Sequence, residues 1–247
     1  MNRPHCRLLS FHVAQGAWNM AADEALLESA AAGTASFRLY GWLQPTLSLG
    51  YFQASAVRSA YPRLGELAWV RRPSGGAALV HHFEVTYALA LPPGAPWQKV
   101  GESWLCRMHV VLADALASLG VKTARLCGDQ EEKKLGDVLC FLHHTPGDLL
   151  IGDAKIVGSA QRKQRGALMQ HGSILLAASP WTPQLPGIRE LTGVNLSAEM
   201  LATTVAEQWA KQTGWQLVAS EWTPRERQRI EELAANKYSQ PAWNCKR

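Results

Sequence analysis

Residues 149–158 read Leu149-Leu150-Ile151-Gly152-Asp153-Ala154-Lys155-Ile156-Val157-Gly158. Two short apolar runs flank a Gly-Asp pair, the signature of a tight hairpin between antiparallel strands. Leu149 to Ile151 and Lys155 to Gly158 are therefore expected to pair, with Gly172 to Leu176 a further strand behind them. Toward the N-terminus, Ser36 to Gly50 reads as two strands, F-R-L-Y-G-W and T-L-S-L-G, around Gln44-Pro45. Ala68 to Arg72 and Thr86 to Leu91 add two more. Asn19 reads as the N-cap of a helix running through M-A-A-D-E-A-L-L-E-S-A-A-A to Gly33, with acids in its first turns. Trp104 to Leu119 carries apolar residues at helical spacing and stops at Gly120. Ser197 to Thr213 and Pro224 to Asn236 read as amphipathic helices. Strands come in clusters rather than in steady alternation with helices. That predicts an α+β fold with a mixed, largely antiparallel sheet flanked by helices. No repeat, low-complexity tract or linker divides the chain, so residues 1–247 are read as a single domain.

Composition narrows the function classes. Hydrophobic residues are 47% and charged residues 18% of the 247, which excludes a disordered chain. No apolar run approaches the length of a membrane span, and the opening M-N-R-P-H-C-R-L-L-S-F has no signal-peptide pattern. The cysteines are Cys6, Cys106, Cys127, Cys140 and Cys245, an odd number at wide spacings with no C-x-x-C. This argues against a disulfide framework or a metal site and for a reducing, cytoplasmic setting in which a thiol is free to act as nucleophile. The net charge of +5 is partly gathered in Arg162-Lys163-Gln164-Arg165 and in Arg225, Arg227 and Arg229. Such blocks are solvated surface or an attraction to an acidic partner protein. No nucleic-acid-binding motif accompanies them.

Four segments carry candidate chemistry. In Arg71-Arg72-Pro73-Ser74-Gly75-Gly76-Ala77-Ala78-Leu79-Val80-His81, paired glycines at a strand end let backbone approach a ligand, with Arg72 as a fixed cation beside them. The bland alternative is a turn with an exposed arginine pair. In the hairpin after Gly152, Lys155 either points into a pocket, where an ammonium stabilises a thiolate or a carbonyl oxygen, or is an exposed turn lysine. Cys140 lies in a loop-like stretch ending at Pro146-Gly147, and Cys127 is its rival; the residues alone do not separate the two. His143-His144 beside Cys140 is a candidate base or an exposed pair, and His171-Gly172-Ser173 either binds ligand or holds a loop.

Taken in order, N-M-A-A-D-E-A-L-L, L-Y-G-W-L-Q-P-T-L-S-L-G-Y-F-Q, R-R-P-S-G-G-A-A-L-V-H, A-K-I-V-G-S-A-Q-R and H-G-S-I-L-L resemble the lipoate–protein ligase and octanoyltransferase family. That family shares its catalytic domain with biotin–protein ligases, a class II aminoacyl-tRNA synthetase-like fold. The resemblance is strongest over residues 19–176 and implies an acyl tunnel against the sheet. Cys140 and Lys155 would be catalytic. Arg72, Ser74, Gly75, Gly76, His81, Gly158, Ser159, Ala160, His171 and Gly172 would bind acyl group or substrate, with no metal. The family contains ATP-using ligases and ATP-independent transferases. Cys140-Phe141 upstream of the lysine strand, H-H-F-E-V-T-Y at residues 81–87, a glycine loop without a third glycine, and a chain ending at Arg247 resemble a cysteine-dependent octanoyltransferase. Ala77, where transferases usually carry arginine, departs from that pattern.

The resemblance implies octanoyl transfer from acyl carrier protein through a Cys140 thioester to a lysine of a lipoyl-domain protein, such as the glycine-cleavage carrier protein. No cofactor is then required. The alternatives are an ATP- and Mg-dependent lipoate–protein ligase, or a non-catalytic homologue that binds acyl or lipoyl domains. Nucleic acid and membrane partners are not expected.

Overall fold

A computed structural model of the chain describes residues 4–61, 63–94 and 103–247; the first three residues of the N-terminal stretch read above lie outside them. β1 (His5–Ala14) leads into α1 (Gly16–Ala31), followed by β2 (Ser36–Trp42), β3 (Thr46–Leu49), β4 (Ala68–Arg71), β5 (Leu79–His81) and β6 (Glu84–Leu91). After α2 (Trp104–Ser118) come the short β7 (Arg125–Leu126), β8 (Lys133–Lys134) and β9 (His143–His144), then β10 (Leu149–Ile151), β11 (Ala154–Gln164) and β12 (Ala167–Leu175). The remainder holds α3 (Ile188–Thr192), α4 (Ala198–Thr213), β13 (Gln216–Ser220), α5 (Pro224–Leu233) and α6 (Pro241–Asn244).

The main sheet runs β13-β1-β2-β6-β12-β11-β10-β7. β1 is parallel to both β13 and β2, and every other neighbouring pair is antiparallel. The mixed, largely antiparallel α+β sheet expected from the strand clusters is what forms, and the hairpin that suggested it joins β10 to β11. A second sheet, β4-β3-β5, lies beside the glycine loop.

Alternation along the central strands sorts the helices onto two faces. Phe37, Leu39, Tyr87, Leu89 and Leu91 pack with Met108, Val111 and Leu112 of α2 and Leu201, Val205 and Trp209 of α4. Their neighbours Tyr40, Trp42, Ala88 and Ala90 face α1, which α5 covers from outside. The alanines on that face let α1 lie close to β6 and β12, bringing polar side chains of α1 within reach of the strands.

Two helix-end expectations are corrected. α1 begins at Gly16 with Gln15 as its N-cap, and no acid lies in its first turn. Asn19 is buried inside that turn, its amide donating to the Ala14 and Gly41 carbonyls and so tying α1 to β1 and β2. At the other end, α5 stops at Leu233 and Ala234–Tyr238 forms a wider π turn. The stretch after Leu176, in which the sequence motifs fall away, supplies α4 to one core, α5 to the other face, and the edge strand β13. β1 and β13 escaped the reading of the sequence because neither has clean apolar alternation; both lie toward one edge of the sheet.

Candidate active site

A cavity of about 70 Å³ opens between the main sheet, the small sheet and a short helical turn at Cys140–Leu142. Gly158, Ser159 and Ala160 of β11 and His171, Gly172 and Ser173 of β12 form one wall. Arg72, Gly76 and His81 close another, Cys140 and Phe141 lie along it, and Met20, Tyr40 and Leu79 supply apolar surface.

The register of the β11–β12 hairpin builds that first wall. Gly158 faces Ser173, Ser159 faces Gly172 and Ala160 faces His171. Lys155 enters β11 just after the Gly152 turn and is 5% exposed, which rules out an exposed turn lysine. Its ammonium lies 2.7 Å from Asp148 Oδ2 and donates to the His143 carbonyl at 2.9 Å. It also reaches the Cys140 carbonyl at 3.5 Å and stands 3.9 Å from Cys140 Sγ. The Thr145 N–H and hydroxyl fix the same Asp148 oxygen at 2.8 and 2.9 Å. Gly158 makes this placement possible: a Cβ there would stand 2.5 Å from Lys155 Cε and 2.9 Å from Nζ.

Cys140 is pinned to the glycine loop. Its N–H donates to the Ala78 carbonyl at 2.7 Å while the Ala78 N–H donates to the Val138 carbonyl at 2.8 Å. The Cys140 N–H is thus committed, and the N–H groups of Gly75 and Gly76 make no hydrogen bond among the described residues. Cys127, indistinguishable from Cys140 in the sequence, is buried away from the cavity, and burial pushes its thiol up. His143 and His144 pair through β9 with Lys134 and Lys133. The His143 ring bonds the Gly136 carbonyl, and burial, then Lys155, pushes His144 down. Neither ring contacts Cys140 Sγ among the described residues.

The arginine pair is buried, contrary to a plain exposed turn. Arg72 spends its guanidinium on the carbonyls of Ser48, Gly75 and Ala77 at 2.6 to 3.1 Å, holding the glycine loop from inside. Arg71 binds the Gly50 and Gln53 carbonyls and the Asn244 carbonyl. The loop passes so close to the end of β3 that a Cβ on Gly50 would stand 1.8 Å from the Gly76 oxygen. Such contact demands glycine there.

Two histidine chains lie deeper. His81 is flanked by Glu84 Oε1 at 3.1 Å and Ser48 Oγ at 2.9 Å and stacks on Trp42; burial pushes its ring down against the opposing pull of Glu84. His171 bridges Asp23 Oδ2 at 2.9 Å and Ser74 Oγ at 2.6 Å. Burial alone would raise the Asp23 carboxyl, but Arg38 and His171 outweigh it and hold it below its ordinary value. Behind the wall, Ser159 Oγ meets Tyr87 Oη and His109 Nε2, both at 2.6 Å. Each residue that the family resemblance marked as catalytic or binding thus lies on or directly behind this cavity.

Sequence reasoning missed Asp23, Asp148, Ser48 and His109. Asp148 carried a signal, an acid in P-G-D-L next to the lysine hairpin, whereas Asp23 reads in the sequence as a first-turn acid of a helix capped by Asn19.

The comparisons agree with this geometry. The family model of the lipoyl protein ligase A/B catalytic domain matches residues 15–200. The chain belongs to that family. Within it, the octanoyltransferase LipM of Kyrpidia tusciae is 33% identical, with 98% of each chain covered. That of Anoxybacillus flavithermus is 32% identical over 94% of each. Among solved structures, a protein of T. acidophilum described as a lipoate protein ligase, with bound lipoic acid, superposes at TM-score 0.79 with 20% identity, covering 98% of this chain and 99% of that one. Lipoate-protein ligase A bound with ATP gives 0.79 and 20%, covering 98% of each. At that identity the structures establish the lipoyl-ligase catalytic-domain fold. No helix among the described residues is long and apolar enough to cross a membrane, and the described His, Cys, Asp and Glu form no metal-binding cluster. All five cysteines are free.

Proposed function

We propose that this family member is an octanoyltransferase that carries the acyl group on Cys140. The observation that carries this reading is the placement of Cys140 Sγ 3.9 Å from a buried lysine ammonium, on the wall of a cavity roofed by the glycine loop. Full-length likeness to octanoyltransferases at about a third identity supports the same chemistry.

The donor is the octanoyl thioester of acyl carrier protein. Cys140 sulfur attacks its carbonyl, the donor thiol departs with the cysteine's proton, and the octanoyl group is left as an enzyme thioester. Lys155, held in place by Asp148, stabilises the thiolate at each end of the reaction. The free N–H groups of Gly75 and Gly76 receive the oxyanion. The acyl chain lies along Met20, Tyr40, Leu79 and Phe141. A lysine of a lipoyl-domain protein then takes the group as an amide. The thioester bond already holds the activation energy, so the reaction requires no ATP, and the free thiols suit the reducing cytoplasm.

The test is intact-protein mass spectrometry of the enzyme mixed with octanoyl-carrier protein without ATP, beside Cys140→Ala. A gain of one octanoyl group on the wild type alone is expected. No adduct on either protein, with lipoyl-domain modification appearing only on addition of ATP and free acid, would replace this reading with the ligase.

A further inference from the structure

The two basic blocks of the sequence meet different fates in the fold. On α5, Arg229 pairs with Glu28 and Glu232, and Arg227 lies 3.9 Å from Glu221. Among the described residues, Arg162, Lys163 and Arg165 of the other block pair with no carboxylate, and neither do Lys246 and Arg247 of the C-terminal segment.

The fold gathers three of these cations beside the roof of the Cys140 cavity. Alternate residues of a strand point to the same face, so Gly158, Ala160 and Arg162 share one face of β11. Gly158 and Ala160 line the cavity, and Arg162 stands about 13 Å along the strand from Gly158. Its guanidinium donates to the Pro73 carbonyl at 2.8 Å, where the glycine loop begins. The C-terminal segment reaches the same loop. Asn244 accepts from the Arg71 N–H at 2.8 Å, and the Ser55 N–H donates to the Arg247 carbonyl at 2.8 Å. So held, the Lys246 ammonium lies 3.3 Å from the centre of the Tyr51 ring and the Arg247 guanidinium 5.3 Å from that of Phe52. Tyr51 donates its N–H to the Ser74 carbonyl at 2.9 Å, and a Cβ on Gly75 would lie 3.8 Å from the Phe52 ring. Lys246, then Arg247 and Arg162, hold the Tyr51 phenol below its ordinary value, so the three charges act at one place. Phe52 beside them is 69% exposed.

Like charges gathered without counter-charges repel one another, and a partner of opposite sign relieves that repulsion. An exposed phenyl ring flanked by cations has the anatomy of a docking patch, an apolar anchor with a charged rim. Two carriers come to this cavity in the acyl-enzyme reaction. The acceptor presents a lysine, an ammonium in water, and cations beside the cavity roof oppose its approach. The donor presents a neutral thioester, which they do not repel, and its carrier domain is free to be acidic.

We propose that Arg162, Lys246 and Arg247, with Phe52 beside them, form the docking rim for an acidic face of the carrier domain that delivers the acyl thioester. The inference rests on the acyl-enzyme reading above and adds where its donor binds.

The experiment compares two thioester donors: octanoyl-carrier protein, and octanoyl-N-acetylcysteamine, which has the thioester and no protein. Loading is followed by mass spectrometry in wild type, in Lys246→Glu with Arg247→Glu, and in Arg225→Glu with Arg227→Glu, which makes the same change of charge on α5. Arg162 is left intact because it also holds the Pro73 carbonyl. The Lys246/Arg247 variant is expected to lose about thirtyfold in kcat/KM with octanoyl-carrier protein, within the range of electrostatic steering. It should load from the small thioester within about twofold of wild type. Added salt should slow the wild type with the carrier protein and change the variant little. The α5 variant should match wild type with both donors. Undiminished loading from carrier protein in the Lys246/Arg247 variant, the same loss in the α5 variant, or an equal loss with both donors would overturn the rim, the last because it marks damage to the glycine loop. Normal loading with slowed discharge to a lipoyl domain would overturn it too, by moving the rim to the acceptor. Binding of octanoyl-carrier protein to Cys140→Ala enzyme, with and without the two reversals, reads docking apart from chemistry. A wild type that loads from neither donor removes the acyl-enzyme reading, whereas equal binding with and without the reversals removes the rim alone.

Discussion

Asp148 Oδ2 lies 2.7 Å from Lys155 Nζ with both side chains within 3% of full burial. The pair is the electrostatic centre of the site, because it fixes the Lys155 nitrogen 3.9 Å from the Cys140 sulfur. Removing one partner of a buried ion pair leaves the other uncompensated, at a cost of about 3–5 kcal/mol. Asp148→Asn is therefore expected to lower stability by about that amount in denaturant titration. It should also slow acyl-enzyme formation, because Lys155 loses the contact that holds its nitrogen beside the Cys140 sulfur. Octanoyl loading at the wild-type rate in the Asp148→Asn enzyme would remove the ion pair from the chemistry.

Gly158→Ala isolates the position of that cation from its charge. The added methyl would stand 2.5 Å from Lys155 Cε, and the neighbour that must move is the far end of a flexible chain. The fold should survive, with a melting temperature within a few degrees of wild type. The ammonium should be displaced from Cys140, and loading should fall about tenfold or more, since catalytic groups act within narrow geometric limits. Thermal melting and single-turnover mass spectrometry on the same sample read both quantities.

How much of this was legible in the sequence depended on what each residue answers to. The β10–β11 hairpin could be read because local turn chemistry fixes it, and Lys155, Gly158 and His171 because they stand in local motifs around it. The strand β1 and its partner β13 are selected by burial against distant elements, with α4 packing on both, and no local pattern records that. The same holds for Asp23, whose partners Arg38 and His171 lie 15 and 148 residues away. Asn19 was misread for a related reason: a cap-forming residue type met an interior position where its amide bridges two strands' carbonyls.

The choice between Cys140 and Cys127 illustrates the same limit and is open to a direct check. The two thiols look alike in the sequence, but Cys140 lines the cavity while Cys127 Sγ faces the Gly128 carbonyl at 3.6 Å with its thiol pushed up by burial. Cys127→Ala should retain octanoyl loading at the wild-type rate and lose about 1 kcal/mol of stability through lost packing. Cys140→Ala should lose loading entirely and keep its fold. Loading by Cys140→Ala that disappears in Cys127→Ala would reverse the assignment.

His109 gives the site a dependence on pH that no group in the cavity itself needs to supply. Its ring lies behind the wall, with Nδ1 bonded to the Gly147 carbonyl at 2.5 Å and Nε2 to Ser159 Oγ at 2.6 Å. A carbonyl only accepts, so Nδ1 carries the proton and Nε2 accepts from Ser159. Burial pushes the ring down to about 4, the Gly147 carbonyl and Asp148 opposing the shift only in part. Because the folded value lies below the unfolded one of about 6.5, neutral His109 contributes stability that is fully present above pH 6.5. That contribution is lost as pH falls through about 4. A drop from 6.5 to about 4 corresponds to about 3 kcal/mol. Urea titrations at pH 7.5, 5.5 and 4 should show wild-type stability falling toward acid. His109→Gln, which has no proton to gain, should start lower at pH 7.5 and converge on the wild type toward pH 4. Parallel curves for the two proteins would mean that His109 is already charged or solvated in the fold. Since Ser159 depends on the neutral ring, octanoyl loading should decline over the same range in the wild type and stay flatter in the variant.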